Sequence, residues 1–95
     1  MNARPQAESE VQTDNARTRT TIWRFAPGAE TGRHRHEFDY VVVPLTDGDL
    51  LLEDGENENR ASLRAGQSYF REAGVEHNVV NINRRPFSFV EIEFK

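Results

Sequence analysis

The chain is expected to fold as a small all-β barrel or sandwich. Three observations predict it. Short runs rich in β-branched and aromatic residues alternate in polarity with a period of two. Clusters of Gly, Asn, Asp and Pro separate those runs at intervals of roughly eight to twelve residues. No stretch carries helical periodicity, and there is no internal repeat or low-complexity block.

Taken in order, residues 1–9 hold Pro, Gln, Glu and Ser but no large apolar side chain beyond the initial Met, so they read as a mobile tail. The domain proper is expected over 10–95. "SEVQT" reads as a short edge strand, followed by a turn at Asp14–Ala16. "RTRTTIWRF", Arg17–Phe25, is a strand by its Thr, Ile, Trp and Phe content, and "APGAETG" is a loop. In "HRHEFDYVVVPL", alternation puts His34, His36, Phe38, Tyr40 and Val42 on one face. Pro44 lacks an N–H, which predicts an edge or a bulge there. "LLLE", "RASL", "QSYFR", "VEHNVVNIN" and "FSFVEIEF" follow as strands between polar turns. In "VEHNVVNIN", His77, Val79 and Asn81 share a face.

Bulk composition narrows the function. The 95 residues make one domain, with 36% apolar residues, and a chain this short buries only about 60–65% of its unfolded surface. A partner chain covering an edge would help, so a homodimer is expected, with the Val11 segment pairing against a partner's sheet. The formal charge is −4 with both signs interleaved, which is not the basic footprint of a nucleic-acid binder. No apolar run is long enough to span a bilayer, and the first residues do not form a secretory signal. There is no cysteine, which removes disulfides, thiol catalysis and cysteine-ligated zinc, and fits a cytoplasmic location.

The three histidines carry the chemistry. His34 and His36 stand at i and i+2 on a strand, so their rings project to one side from Cα atoms roughly 6.6 Å apart. A metal with nitrogen bonds of about 2.0–2.2 Å can bridge imidazoles at that spacing. His77, on another strand, is the candidate third ligand. Imidazole suits Fe, Zn, Ni, Cu or Mn.

These residues resemble the two sequence motifs of the cupins. Gly28, five residues, then His34 and His36 follow the first motif; Tyr40 stands where a Glu is usual, and Gly48 falls one residue late. Gly66, Gly74, His77 and Asn81 follow the second, with Glu72 in place of its proline. The resemblance covers residues 18–94. It implies a cupin-type double-stranded β-helix, a jelly-roll barrel of two facing sheets, with a pocket for one divalent transition metal (Fe, Zn, Ni or Mn) held by His34, His36 and His77.

Tyr40 is the informative departure. Three neutral imidazoles leave the full charge on the ion and positions open to an anionic small molecule. The resemblance then points to three-histidine cupins, some of which are iron dioxygenases. Tyr40 is expected to donate a hydrogen bond beside the metal or to pack in the barrel, ahead of direct ligation. Glu37 and Asp39 alternate away from the histidine face. Glu91 and Glu93 share a face with Phe87 and Phe89; an exposed edge is expected for them, with a general base or a partner of the site as the alternative. Trp23, Phe38, Asn81 and Arg71 are candidate pocket residues, with Arg71 or Arg24 able to hold a carboxylate. The leading expectation is a metal-dependent oxygenase, isomerase or lyase of a small acid or thiol. A binding module without turnover, or a barrel that has lost its metal, are the alternatives.

Overall fold

The computed structural model describes residues 3–95 and is built from strands and turns. The strands are β1 (Glu8–Asp14), β2 (Thr18–Phe25), β3 (His34–Arg35), β4 (Asp39–Pro44), β5 (Gly48–Glu53), β6 (Glu58–Leu63), β7 (Tyr69–Arg71), β8 (Glu76–Asn81) and β9 (Phe87–Phe94). They form a five-stranded sheet in the order β1-β2-β9-β4-β7 and a four-stranded sheet in the order β3-β8-β5-β6. Every ladder is antiparallel. Among the described residues no helix is long and apolar enough to cross a membrane.

Period-2 alternation puts one face of each sheet inside. On β9 the inward residues are Phe87, Phe89, Glu91 and Glu93, all buried. The two phenylalanines join Phe25 from β2 and Leu50 from β5 in an apolar plug at one end of the barrel. The Phe25 and Phe89 rings lie 5.5 Å apart, tilted by 36°, within the range where aromatic pairs add to simple burial. Moving up β9 from that plug, the interior turns polar at Glu91, and the histidines occupy that level.

Two expectations are corrected by the fold, and a third, at Pro44, holds locally. Residues 4–7 do not form a free tail. Ala7 donates its N–H to the Glu30 carbonyl at 2.8 Å, and Glu30 donates back to the Pro5 carbonyl at 2.9 Å. Ala7 itself is buried, and the Arg4 guanidinium bridges Glu30 and Glu53. Main-chain pairing does this anchoring, so no large side chain announces it. Met1 and Asn2, also assigned to the tail, lie outside the described residues.

At Pro44 β4 is a local edge, as the missing N–H predicts. β4 runs between β9 and β7, but β7 reaches only as far as Val42. Pro44 therefore takes the end position, with its carbonyl accepting the Gly66 N–H at 2.8 Å. The long strand expected from His34 onward is also interrupted: residues 36–38 leave the ladder and bend at Glu37–Phe38. Tyr40 and Val42 remain inward beyond the bend, but Phe38 does not.

Candidate metal centre

Two short strands and one loop residue bring the histidines together. His34 on β3 and His77 on β8 are register partners across an antiparallel ladder. Directly opposed side chains on one face of such a ladder meet. His36 lies just past the end of β3, but its backbone is still held. Its N–H donates to the Val75 carbonyl at 2.9 Å, and its carbonyl accepts the Gly74 N–H at 2.8 Å. Gly74 has φ +101°, a conformation that a side chain would strain, so glycine is needed where the chain turns to grip His36.

The three imidazoles are nearly perpendicular to one another, with ring centroids 4.7–5.1 Å apart. Their Nε2 atoms converge: His34 to His36 is 3.1 Å, and His36 to His77 is 3.1 Å. Nδ1 of His34 lies 2.9 Å from the Gly32 carbonyl. An N–H donated there leaves the Nε2 lone pair facing inward. Burial, then the neighbouring His34, lowers the His36 pKa to about 4. Burial, then His34, His36 and Arg71, lowers that of His77 to about 4. Both rings are thus neutral donors at neutral pH.

This donor set fits a metal ion. A ring nitrogen has one in-plane position, filled by a proton or by a lone pair. His36 Nε2 cannot serve two other ring nitrogens at once through a single proton. One cation accepting a lone pair from each ring satisfies all three. The 3.1 Å separations are those of two bonds of about 2.0–2.1 Å meeting not far from a right angle. The three ligand atoms all lie within 4.8 Å of one another.

Tyr40 stacks on His36, with ring centroids 3.9 Å apart and planes 20° from parallel. Burial raises its pKa above the usual 10, so its hydroxyl stays protonated. A carboxylate from another strand stands behind His36 instead of beside the converging nitrogens. Glu91 on β9 is buried, with an oxygen 3.7 Å from His36 Nδ1. That is an electrostatic contact rather than a hydrogen bond, and it lies on the side of the ring away from the converging nitrogens. Burial, then the adjacent Glu93, raises the Glu91 pKa to about 7. Glu93 is gripped by Arg19 through two parallel hydrogen bonds of 2.8 and 3.0 Å. The exposed edge expected for these glutamates is therefore wrong: β9 is an inner strand of its sheet, and both side chains face inward.

A cavity of about 190 Å³ opens onto the histidines. Of the four expected pocket residues, Trp23 and Arg71 line it, and Phe38 and Asn81 do not. Phe38 is displaced by the bend before β4. Asn81 is fully buried, and its amide donates to the carbonyls of Phe25, Ala26 and Arg85 instead. Tyr69 and Glu91 line the cavity and were not placed there from sequence. The inward parity of Phe87 and Phe89 was the signal for Glu91. Arg71 lies at the exposed rim, its guanidinium 4.7 Å over the Tyr69 ring. Among the described residues no carboxylate pairs with it, whereas Arg24, the other candidate, is taken by Glu10 on the outer face. A second opening reaches His34 and His36 from the Arg19–Glu93 side.

An antiparallel barrel of two facing sheets, with three imidazoles converging at its polar end, is the architecture of a metal-competent cupin. The Cupin domain family model matches residues 21–93, and the chain belongs to that family. The β-alanine degradation protein BauB of Pseudomonas aeruginosa is 64% identical over 95 residues, the full length of both proteins. A cupin domain from Bordetella pertussis Tohama I, solved as a crystal structure, is 55% identical with a TM-score of 0.98, covering 100% of this chain and 99% of that one. The polyketide cyclase RemF from Streptomyces resistomycificus shares the fold alone, at 18% identity and a TM-score of 0.73, covering 96% of this chain and 68% of that one.

Proposed function

We propose that this cupin holds one divalent transition-metal ion through His34, His36 and His77 and acts on a short-chain amino acid, or on the oxo acid left when its nitrogen is removed, in the breakdown of β-alanine. The convergence of three Nε2 atoms in a cavity whose rim presents a guanidinium with no carboxylate partner among the described residues carries this reading. Full-length similarity to BauB supports the substrate class.

The charge pattern of the cavity suits a zwitterion. Arg71 presents a planar fork to a carboxylate, and stacking on Tyr69 holds it in place. Asp54, Glu76 and Glu91 also line the space and offer oxygens to an ammonium group, although Glu76 is shared with Arg33. Trp23, Val42 and Phe89 supply the apolar wall that a short carbon chain needs. A bound divalent ion would supply Lewis-acid polarisation of a substrate oxygen. Tyr40 keeps a protonated hydroxyl in the cavity, and its ring fixes the plane of His36.

The test is elemental analysis of the purified chain, followed by calorimetry and NMR on the metal-loaded protein with β-alanine and with 3-oxopropanoate. Stoichiometric metal with binding or turnover of either acid is the expected result. Binding without turnover would make the barrel a sensor or carrier. Failure to hold metal in supplemented medium would defeat the reading. Arg71→Gln is expected to weaken carboxylate binding by about 10–100-fold while leaving metal content unchanged, because a charge-assisted hydrogen bond contributes about 1.5–3 kcal/mol. Glu91→Gln is expected to change metal affinity by less than about tenfold, measured by competition with a chelator, because its oxygen stands 3.7 Å from His36 Nδ1 and makes no hydrogen bond to it.

A further inference from the structure

We infer that Asn78 is a positioning residue for His34, a role that rests on the proposed metal centre: it pins the turn whose carbonyl aims the His34 ring at the ion, and Glu53, Glu30 and Arg4 hold it there. Asn78 follows the ligand His77 on β8, so alternation turns its side chain to the opposite face of the sheet. It does not line the cavity. It acts through the backbone of Gly32.

That backbone needs a pin. Gly32 has φ +83°, in the left-handed region, and nothing lies within 4 Å of where a Cβ would stand. Glycine has the widest backbone freedom of any residue, and no packing restrains it here. Hydrogen bonds hold it instead. Its N–H donates to Asn78 Oδ1 at 2.9 Å. Its carbonyl lies 2.9 Å from His34 Nδ1 and accepts the Thr31 hydroxyl at 2.9 Å. The carbonyl that orients His34 therefore belongs to the residue whose N–H Asn78 grips. Rotation of Gly32 would swing that carbonyl off the imidazole, and the Asn78 bond opposes the rotation.

The amide has one orientation that satisfies its surroundings. Asn78 Nδ2 donates to Glu30 and to Glu53, at 2.9 Å each. Ionised carboxylates only accept, so the NH2 group faces them and the oxygen faces Gly32. Glu53 is the register partner of Asn78 on β5. Arg4 joins both carboxylates, at 2.8 Å to Glu53 and 3.1 Å to Glu30. Its positive charge offsets the repulsion of two carboxylates drawn onto one amide. The line of contacts runs from the N-terminal arm through Glu53, Asn78 and Gly32 to His34, and ends on a metal-facing ring.

Zinc affinity by chelator competition on the full chain, with amide hydrogen exchange by NMR on the metal-free chain, tests this role. Asn78→Ala is expected to weaken zinc affinity about 10–100-fold, the usual contribution of groups that orient ligating imidazoles. It is also expected to speed exchange of the Gly32 amide by at least about tenfold, with the β5–β6 ladder exchanging as in the wild type. Asn78→Asp keeps an acceptor facing Gly32 but sets a third carboxylate against Glu30 and Glu53, and is expected to bind zinc no better than alanine. Adding Glu53→Gln to Asn78→Asp restores the charge and lets the new amide donate to the new carboxylate. That double variant is expected to recover most of the lost affinity. A role in packing alone would gain nothing from moving a charge across the ladder.

Should Asn78→Ala fail to fold, Asn78→Asp against its double variant decides. Unchanged zinc affinity in folded Asn78→Ala, unchanged Gly32 exchange, or a double variant no better than Asn78→Asp would overturn the inference. A wild type that holds no zinc would defeat the metal reading. Gly32 exchange in the metal-free chain would then still decide the pin: protection lost in Asn78→Ala supports it, and protection kept refutes it.

Discussion

His77→Ala is expected to reduce metal content from about one equivalent per chain to less than about a tenth after dialysis, and to weaken affinity by well over the 10–100-fold that supporting partners contribute. The size of the effect follows from geometry. His77 is the register partner of His34, and its Nε2 lies 3.1 Å from that of His36. Among the described residues no further His, Asp or Glu groups with the three rings as a ligand. Glu91 faces the opposite side of the His36 ring, and Tyr40 stacks on that ring with a hydroxyl that burial keeps protonated. Two imidazoles would remain, too few for a closed or a catalytic nitrogen site. The His77 side chain is partly exposed and makes no hydrogen bond to the main chain among the described residues, so the barrel is expected to stay folded. Elemental analysis beside circular dichroism checks both halves. Retention of stoichiometric metal by folded His77→Ala would remove the basis of the proposed centre.

Asn81→Ala is expected to be the most destabilising single substitution away from the metal centre, at about 3–5 kcal/mol. Asn81 is fully buried. Its amide donates to the carbonyls of Phe25, Ala26 and Arg85, at 3.3, 3.2 and 3.0 Å. Its side-chain oxygen accepts from the backbone and the side chain of Asn83, at 2.9 and 2.7 Å. One residue thus closes the loop after β2, the end of β8 and the turn before β9. Alanine would remove five hydrogen bonds at once and leave the buried Phe25 carbonyl without this donor, a loss of about 1–3 kcal/mol for that group and less for the part-buried ones. In a domain of this size that corresponds to a fall in Tm on the order of 15–25 °C. Ile82→Ala, one residue on and 37% exposed, is expected to cost under about 1 kcal/mol. A thermal melt showing equal shifts for the two variants would refute the role given to Asn81.

The strands were legible because their alternation is regular, and the histidine centre because all three histidines fall at matching positions of the two cupin motifs. The failures have separate physical causes. Phe38 was assigned to the cavity by counting in twos from His36, and the bend at Glu37–Phe38 interrupts that count without a glycine or proline to announce it. Asn81 was placed on the right face of β8, but the strand runs past the cavity into the plug, where a polar side chain serves the backbone. For Glu91 and Glu93 an exposed edge is the expectation from sequence and an inward face the alternative, since buried carboxylates are uncommon. Their compensation, the Arg19 fork and the His36 ring, comes from distant strands and cannot be read locally. The docking of residues 4–7 depends on main-chain pairing with Glu30, which side-chain identity does not encode.

The final strand is greasy on both sides, and this bears on how the chain finds its alignment. A slip of one residue would exchange Phe87 and Phe89 for Val90, Ile92 and Phe94 inside the barrel. Water aversion alone barely distinguishes the two threadings. The misthreaded one would tear Glu93 from Arg19 and leave the guanidinium without its carboxylate. That ionic latch near the rim thus acts as the proofreader of β9, rejecting the off-by-one mate that oiliness by itself would accept.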